Sequence, residues 1–146
     1  MSKRLDIIGA NTFVDVEGIT HVPAKIDTGA DSSAICASHI KVKDGVLQFT
    51  LFHPISKFYT GEVITRRQFT IITVRSSNGE AEERYRTHLS LCINGRHIRS
   101  SFTLANRSKN NFPILIGRRT IRGKFLVDVS KKDVTKKDYY GLKDKI

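Results

Sequence analysis

Apolar residues recur at every second position through most of this chain, and glycine, asparagine and aspartate punctuate the runs. That alternation sends one side of a strand into a core and the other toward water. Residues 5–8, 13–16, 21–26, 33–37 and 46–52 read as strands, with turns at Gly9, Glu17-Gly18 and Asp44-Gly45. Pro23 confines the start of its strand to an edge or entry position. Residues 69–75 are rich in β-branched side chains and run into Asn78-Gly79. A second Asn-Gly pair, Asn94-Gly95, joins residues 89–93 to residues 96–104. A type I′ turn needs positive φ at both central positions, which Asn-Gly supplies. That register sets Arg75 opposite Glu82 and Leu91 opposite Ile98. The continuous apolar run 112–116 predicts a strand buried on both faces. Residues 117–123 predict one helical turn closed by Gly123, and residues 125–129 the last core strand. Many short strands with one short helix predict an all-β fold, a small closed barrel. Residues 1–130 form the expected domain and residues 131–146 a basic C-terminal tail.

Composition narrows the partners. Twenty-five Lys and Arg against 14 Asp and Glu leave a formal charge of +11 on 146 residues. Such a surface favours an anionic partner. The two cysteines, Cys36 and Cys92, form no framework, which fits a reducing, cytoplasmic setting. The first residues lack the apolar core of a secretory signal. No run approaches the ~18 apolar residues of a membrane span. No phosphate-binding Gly-x-x-x-x-Gly-Lys-Ser/Thr stretch is present, and no cofactor is expected.

The candidate chemistry lies at Ala24-Lys25-Ile26-Asp27-Thr28-Gly29-Ala30-Asp31-Ser32-Ser33. An apolar strand end is followed by a carboxylate, a hydroxyl, a glycine and a second strand. Such a turn holds one carboxylate at a sheet edge. Thr28 can anchor the loop through its hydroxyl, and Gly29 supplies positive φ or close backbone approach. Two rival readings stay open. A zinc hydrolase would use some of His21, His39, His53, His88 and His97, yet no metal-binding spacing links them. A nucleic-acid-binding barrel would use the positive charge and stack bases on Phe58, Tyr59, Tyr85, Tyr139 and Tyr140. No RNA-binding signature accompanies them.

Asp27-Thr28-Gly29-Ala30-Asp31-Ser32, followed far downstream by Ile114-Leu115-Ile116-Gly117-Arg118 and Ile121, resembles the pair of signatures of the retropepsin-like aspartic proteases. The resemblance runs from Val22 to Val129. A bacterial branch, labelled ATP-dependent zinc protease and associated with ATP-grasp glutamate ligases of ribosomal protein modification, is more similar still. Its pattern is met by residues 25–30, 75–85, 104–107, 115–118 and 123–128. The resemblance implies a single-lobe acid-protease barrel that works as a homodimer, with Asp27 from each chain catalytic. Thr28, Gly29 and Ala30 would complete the active-site loop. Ser76, Ser77, Asn78 and Gly79 would form the flap. Asp31, Gly117 and Arg118 would give structural support. It also implies a peptide substrate rich in glutamate, toward which Arg75, Arg84 and Arg86 are the candidate binding cations. Contact with the ribosome or RNA would accompany that role. The chain is longer than the viral members between Lys41 and Gln68. The non-catalytic alternative is a peptide- or RNA-binding barrel of the same shape.

Overall fold

In the computed structural model, residues 5–75, 78–107 and 112–135 are described. The elements are β1 (Asp6–Val16), β2 (Ile19–Ile26), β3 (Ser33–Lys43), β4 (Val46–Leu51), β5 (Ile64–Arg66), β6 (Thr70–Arg75), β7 (Ala81–Ile93), β8 (Arg96–Ala105), β9 (Ile114–Ile116), α1 (Arg118–Ile121) and β10 (Phe125–Lys132). The fold is all-β with one short helix, as expected.

The sheet runs β10-β1-β2-β9-β3-β8-β7-β6, and a further pairing of β1 with β7 closes six of these strands into a ring. Glu17 fastens the closure: its N–H donates to the Ser90 carbonyl at 3.0 Å, and its carboxylate accepts from the Ser90 N–H at 2.6 Å. Strand β10 lies outside the ring, parallel to β1. Strand β6 is the opposite edge, and β4 and β5 extend from β3 as a separate arm. That arm accounts for much of the stretch between Lys41 and Gln68.

Three tight turns follow from the sequence. Glu17-Gly18, Asp44-Gly45 and Asn94-Gly95 all have positive φ at both residues. They join strands whose last pairs are Val16–Ile19, Lys43–Val46 and Ile93–Arg96. The twist of such turns matches that of the strands they connect. Leu91 lies opposite Ile98, as the pattern required. The core fills the ring with Val14, Val22, Ile35, Phe49, Leu89, Ile93, Phe102, Leu104, Ile114 and Ile116, all nearly inaccessible.

Four local expectations need correction. Gly9 is not a turn, because β1 passes through it without a break. A Cβ there would lie 2.5 Å from the Lys131 oxygen on β10, so glycine serves close strand approach. Arg75 pairs with Ala81, not Glu82. The Asn78 side chain accepts the Glu80 N–H at 3.1 Å, an Asx turn that widens the loop. Strand β10 is only partly a core strand: Val127 packs against the core half-buried. Phe125 is buried, but Leu126 and Val129 are 54% and 72% exposed, because β10 sits at the sheet edge. Residues 112–116 are not uniformly buried either: in β9, Leu115 is half-buried between buried Ile114 and Ile116. Past Lys132, Val134 is buried and its N–H donates to Asn11 Oδ1 at 2.8 Å.

Candidate active site

Strand β2 ends at Ile26, which pairs with Ile116 of β9. The next residue, Asp27, donates its N–H to the Ile116 carbonyl at 2.8 Å. The central strands therefore fix where the carboxylate leaves the sheet. The chain then turns on itself. Ala30 N–H donates to the Asp27 carbonyl at 3.1 Å, and Gly29 N–H donates to Asp27 Oδ1 at 3.2 Å. Gly29 does not use positive φ. A Cβ there would stand 3.4 Å from Asp27 Oδ1, an ordinary contact, so nothing within the single chain demands glycine at this position. Asp27 is half-buried, while Thr28 and Gly29 are exposed. The Thr28 hydroxyl makes no hydrogen bond among the described residues; it is the Thr28 carbonyl that is held, by Arg118 Nη1 at 3.0 Å.

The β9–α1 junction braces this loop from behind. Arg118 N–H donates to the Ala30 carbonyl at 2.8 Å and Arg119 N–H to the Asp31 carbonyl at 3.1 Å. Gly117 N–H donates to buried Ser33 Oγ at 2.9 Å. Ser33 in turn shares a hydrogen bond with Thr120 at 2.7 Å, and Thr120 another with Ser100 at 2.7 Å. Gly117 packs so tightly that a Cβ would lie 2.5 Å from the Ser32 carbonyl carbon. Asp31 is paired with Arg119 Nε at 3.0 Å and more loosely with Arg118 Nη2 at 3.8 Å. Asp27 to Asp31, Gly117 and Arg118 are thus gathered at one end of the ring.

The candidate flap is the β6–β7 hairpin. Asn78 and Gly79 are exposed at its tip; Ser76 and Ser77 lie outside the described residues. The three candidate cations do not act as a group. The ladder places Arg84 opposite Ile72 and Arg86 opposite Thr70, on one face, whereas Arg75, opposite Ala81, falls on the other. The Nε groups of Arg84 and Arg86 are buried and have no hydrogen-bond partner among the described residues. Arg84 makes one long contact, Nη2 to Glu82 Oε2 at 3.5 Å.

Arg107 is a further cation at this end of the ring that sequence reasoning assigned no role. It is half-buried, and its Nε donates to the Phe112 carbonyl at 3.2 Å. Burial presses its guanidinium below the usual arginine value. Cys36 acts against that shift, Arg84 adds to it, and Asp27 acts against it. Asp27, Arg84 and Arg107 therefore share one electrostatic neighbourhood. The available signal was an arginine two residues past the apolar end of β8, inside the stretch 104–107.

The histidines are scattered. His21 stacks on Phe13 at 3.8 Å between ring centres, His39 tilts toward Tyr59 at 6.4 Å, and His53 Nδ1 accepts from the Ile55 N–H. Among the described residues no group of three or more His, Cys, Asp or Glu is arranged to hold a metal. Of the aromatic candidates, Phe58 and Tyr85 pack against the core and are not free platforms; Tyr139 and Tyr140 lie outside the described residues. No helix among the described residues is long and apolar enough to cross a membrane.

An all-β ring carrying one braced Asp-Thr-Gly loop resembles the single-lobe class of aspartic peptidases. Residues 7–138 match the model of the RimB-like family, described as the retropepsin-like aspartic endopeptidase RimB, and the chain belongs to that family. Curated relatives named "Probable alpha-L-glutamate ligase" include one from Shewanella pealeana, 31% identical over 159 residues, and one from Desulfotalea psychrophila, 28% identical over 118 residues. The first alignment takes in 98% of this chain but 34% of the relative, and the second 76% and 25%. The chain thus spans about a third or less of the length of the curated relatives it matches. A crystal structure of a Legionella pneumophila protein of unknown function superposes with a TM-score of 0.56 at 20% identity, covering 86% of this chain and 95% of that one. That likeness concerns the fold.

Proposed function

We propose that this chain is an aspartic endopeptidase that acts as a homodimer, with Asp27 of each copy forming the catalytic pair. The observation that carries the reading is the loop itself. Asp27 leaves a core strand, is braced by main-chain bonds from β9 and α1, and stands beside an exposed Thr28 and Gly29 on an outward face. One lobe holds one such carboxylate, and the chemistry needs two. In the pair, one carboxylate takes a proton from water while the other, protonated, donates to the scissile carbonyl oxygen. Like charges about 3 Å apart cannot both ionise, so one proton is retained near neutral pH. The two titrations then belong to the pair. The Thr28 hydroxyl would bond across the two-fold axis, and Gly29 would let the loops approach. Ile7 and Leu126, paired across β1 and β10 and each about half exposed, supply apolar surface for a second copy to cover. The peptide would bind extended beneath the β6–β7 hairpin.

The substrate class follows from charge. The formal net charge is +11, and Arg107 interacts electrostatically with both Asp27 and Arg84. The relatives are named for ligating glutamate, and the segment like this chain is part of them. A glutamate-rich peptide fits both facts. Contact with ribosomal RNA or the ribosome would accompany this activity and draw on the same charge.

The test pairs sedimentation with hydrolysis of an α-linked oligoglutamate peptide, using wild type and Asp27→Asn. The expected result is a dimer in both, cleavage by wild type, and a loss of at least about 1,000-fold in the variant, since the acid–base pair is broken. Peptide affinity is expected to fall as salt rises. A monomer without turnover, or cleavage that survives Asp27→Asn, would refute the proposal. Salt-independent affinity would remove the acidic-substrate part alone.

A further inference from the structure

Where the braced loop meets α1, a cavity of about 120 Å³ is lined by Ser32 of the loop but not by Asp27. Its wall carries Arg86, Arg99, Arg119 and Lys124, together with the hydroxyls of Ser100 and Thr120, and no carboxylate. These cations come from three separate pieces of chain. Arg86 is on β7, Arg99 is on β8, and Arg119 and Lys124 belong to α1 and the turn that follows it. Like charges repel, so convergence from three elements requires a compensating anion or solvent. Within the protein the compensation is slight. Arg119 is paired with Asp31, whereas Arg86, Arg99 and Lys124 have no ion pair among the described residues.

A second, independent feature points the same way. The Arg86 Nε–H is buried and has no acceptor among the described residues. A buried donor without an acceptor is costly, and a guanidinium donor more so than a neutral one. The hydroxyls add to this. Ser33, Thr120 and Ser100 form a chain, and Ser33 accepts from Gly117 N–H. Two hydrogen bonds join the three hydroxyls, so one proton is left over. It falls on Ser100, a lining residue, when the chain runs from Ser33 to Thr120 to Ser100.

We infer that this cavity is a binding site for a single phosphate group, distinct from the Asp27 site. The cavity is too small for a nucleoside and suits one compact oxyanion. A doubly charged tetrahedral oxyanion gains more than a monocarboxylate from the three cations without an ion pair. Its several acceptor oxygens also match guanidinium forks and hydroxyl donors spread around it. Asp31 already satisfies Arg119 on the outer rim, which leaves the inner cations to the ligand. The phosphate is either the free ion or one borne by a nucleic-acid backbone; both present the same group.

The experiment is isothermal titration of sodium phosphate into the full chain at constant ionic strength held with sodium chloride. It compares wild type, Arg99→Gln/Lys124→Gln and Asp27→Asn. Wild type and Asp27→Asn are expected to bind one phosphate per chain equally, and the double variant at least tenfold more weakly. Both altered positions lie toward the surface, and thermal denaturation checks that the double variant folds. Absence of saturable phosphate binding to wild type, or unchanged affinity in the double variant, would overturn the inference. A short single-stranded oligonucleotide distinguishes the sources. Binding that phosphate displaces supports a polymer-borne group, and phosphate binding without oligonucleotide binding supports the free ion. An oligoglutamate that matches phosphate in displacing it, with the same loss in the double variant, would reassign the cavity to carboxylates. Because Asp27→Asn is expected to bind phosphate normally, loss of the peptidase reading leaves this test intact.

Discussion

Replacing Gly117 by alanine is the most direct probe of how the Asp27 loop is held. Gly117 has φ −89° and ψ 177°, a conformation open to any residue, so alanine meets no backbone strain. The obstacle is space. An added Cβ would lie 2.5 Å from the Ser32 carbonyl carbon and 3.0 Å from Ser32 Cα, and closer still to the carbonyl oxygen. These are main-chain atoms of the loop that follows Asp27, and no side chain can rotate away. Overpacking of this kind costs roughly 1–3 kcal/mol. The separation needed to relieve it also stretches the Gly117 N–H bond to buried Ser33 Oγ, now 2.9 Å. Loss of a buried hydrogen bond costs roughly 1–3 kcal/mol more. The expected destabilisation is about 3 kcal/mol, or a fall in Tm of about 12 °C at about 4 °C per kcal/mol for a domain of this size.

Two glycines calibrate that number. Gly45 has φ +75° and open space around its Cα, so alanine there meets strain alone, about 1–2 kcal/mol. Gly9 has a clash comparable to that of Gly117, 2.5 Å to the Lys131 oxygen, but the opposing strand β10 is at the sheet edge and can shift. Its alanine variant is expected to fall between the other two. Urea denaturation followed by circular dichroism measures all three, with slopes checked for constancy. If Gly117→Ala lies within about 0.5 kcal/mol of wild type, or below Gly45→Ala, the loop is not locked by the β9–α1 junction and the reasoning fails.

Ser33→Ala removes the acceptor of the Gly117 N–H and is expected to cost about 1–3 kcal/mol by the same denaturation assay. Asp31→Asn breaks the pair with Arg119, whose partners are more than half exposed, and is expected to change stability by less than about 0.5 kcal/mol. Burial pushes the Cys36 thiol up, the first of several causes, while contacts with Arg107 and His53 oppose it. Cys36 is therefore expected to alkylate more slowly than half-buried Cys92 at pH 8, read by mass spectrometry of digests. The folded value lies above the unfolded one, so the associated stability is present below the ordinary thiol range and is lost as pH rises through it. Replacing Cys36 with alanine should flatten that alkaline decline.

Much of the ring was legible because its turns are local. Glu17-Gly18, Asp44-Gly45 and Asn94-Gly95 each encode positive φ at adjacent residues, and each turn fixes the register of the strands it joins. The 78–79 turn misled for a physical reason. Asn78 satisfies its own loop through its side-chain oxygen, and five residues separate Arg75 from its partner Ala81. Gly9 and β10 depended on contacts between residues far apart in the chain. Nothing near Gly9 announces Lys131, and the apolar stretch 125–129 does not reveal that it borders the sheet. At the site, the pairing of Asp31 was foreseeable as a contact with some arginine. That Arg119 makes the shorter contact, and Arg118 instead holds the Thr28 carbonyl, depends on the pitch of a single helical turn. Arg107 was hidden because its proximity to Asp27 arises only when β2 and β8 are brought to the same end of the ring.

The bracing of the loop also bears on what its charges are available to do. Asp27 N–H, Ala30 carbonyl, Asp31 carbonyl and Ser33 Oγ are all bound to the β9–α1 segment through main-chain or hydroxyl groups. The ion pairs of Asp31 are exposed and contribute little to holding it. A loop fixed without reliance on its charges can keep a carboxylate in place whether that carboxylate is ionised or protonated, which a shared-proton pair requires. Of the arginines near the loop, Arg118 and Arg107 hold main-chain carbonyls, of Thr28 and Phe112. Arg84 and Arg86 keep buried donors without acceptors among the described residues, a cost that a protein built only for stability would remove by substitution. An anionic ligand, as both proposals above expect, would supply the missing acceptors on that face of β7.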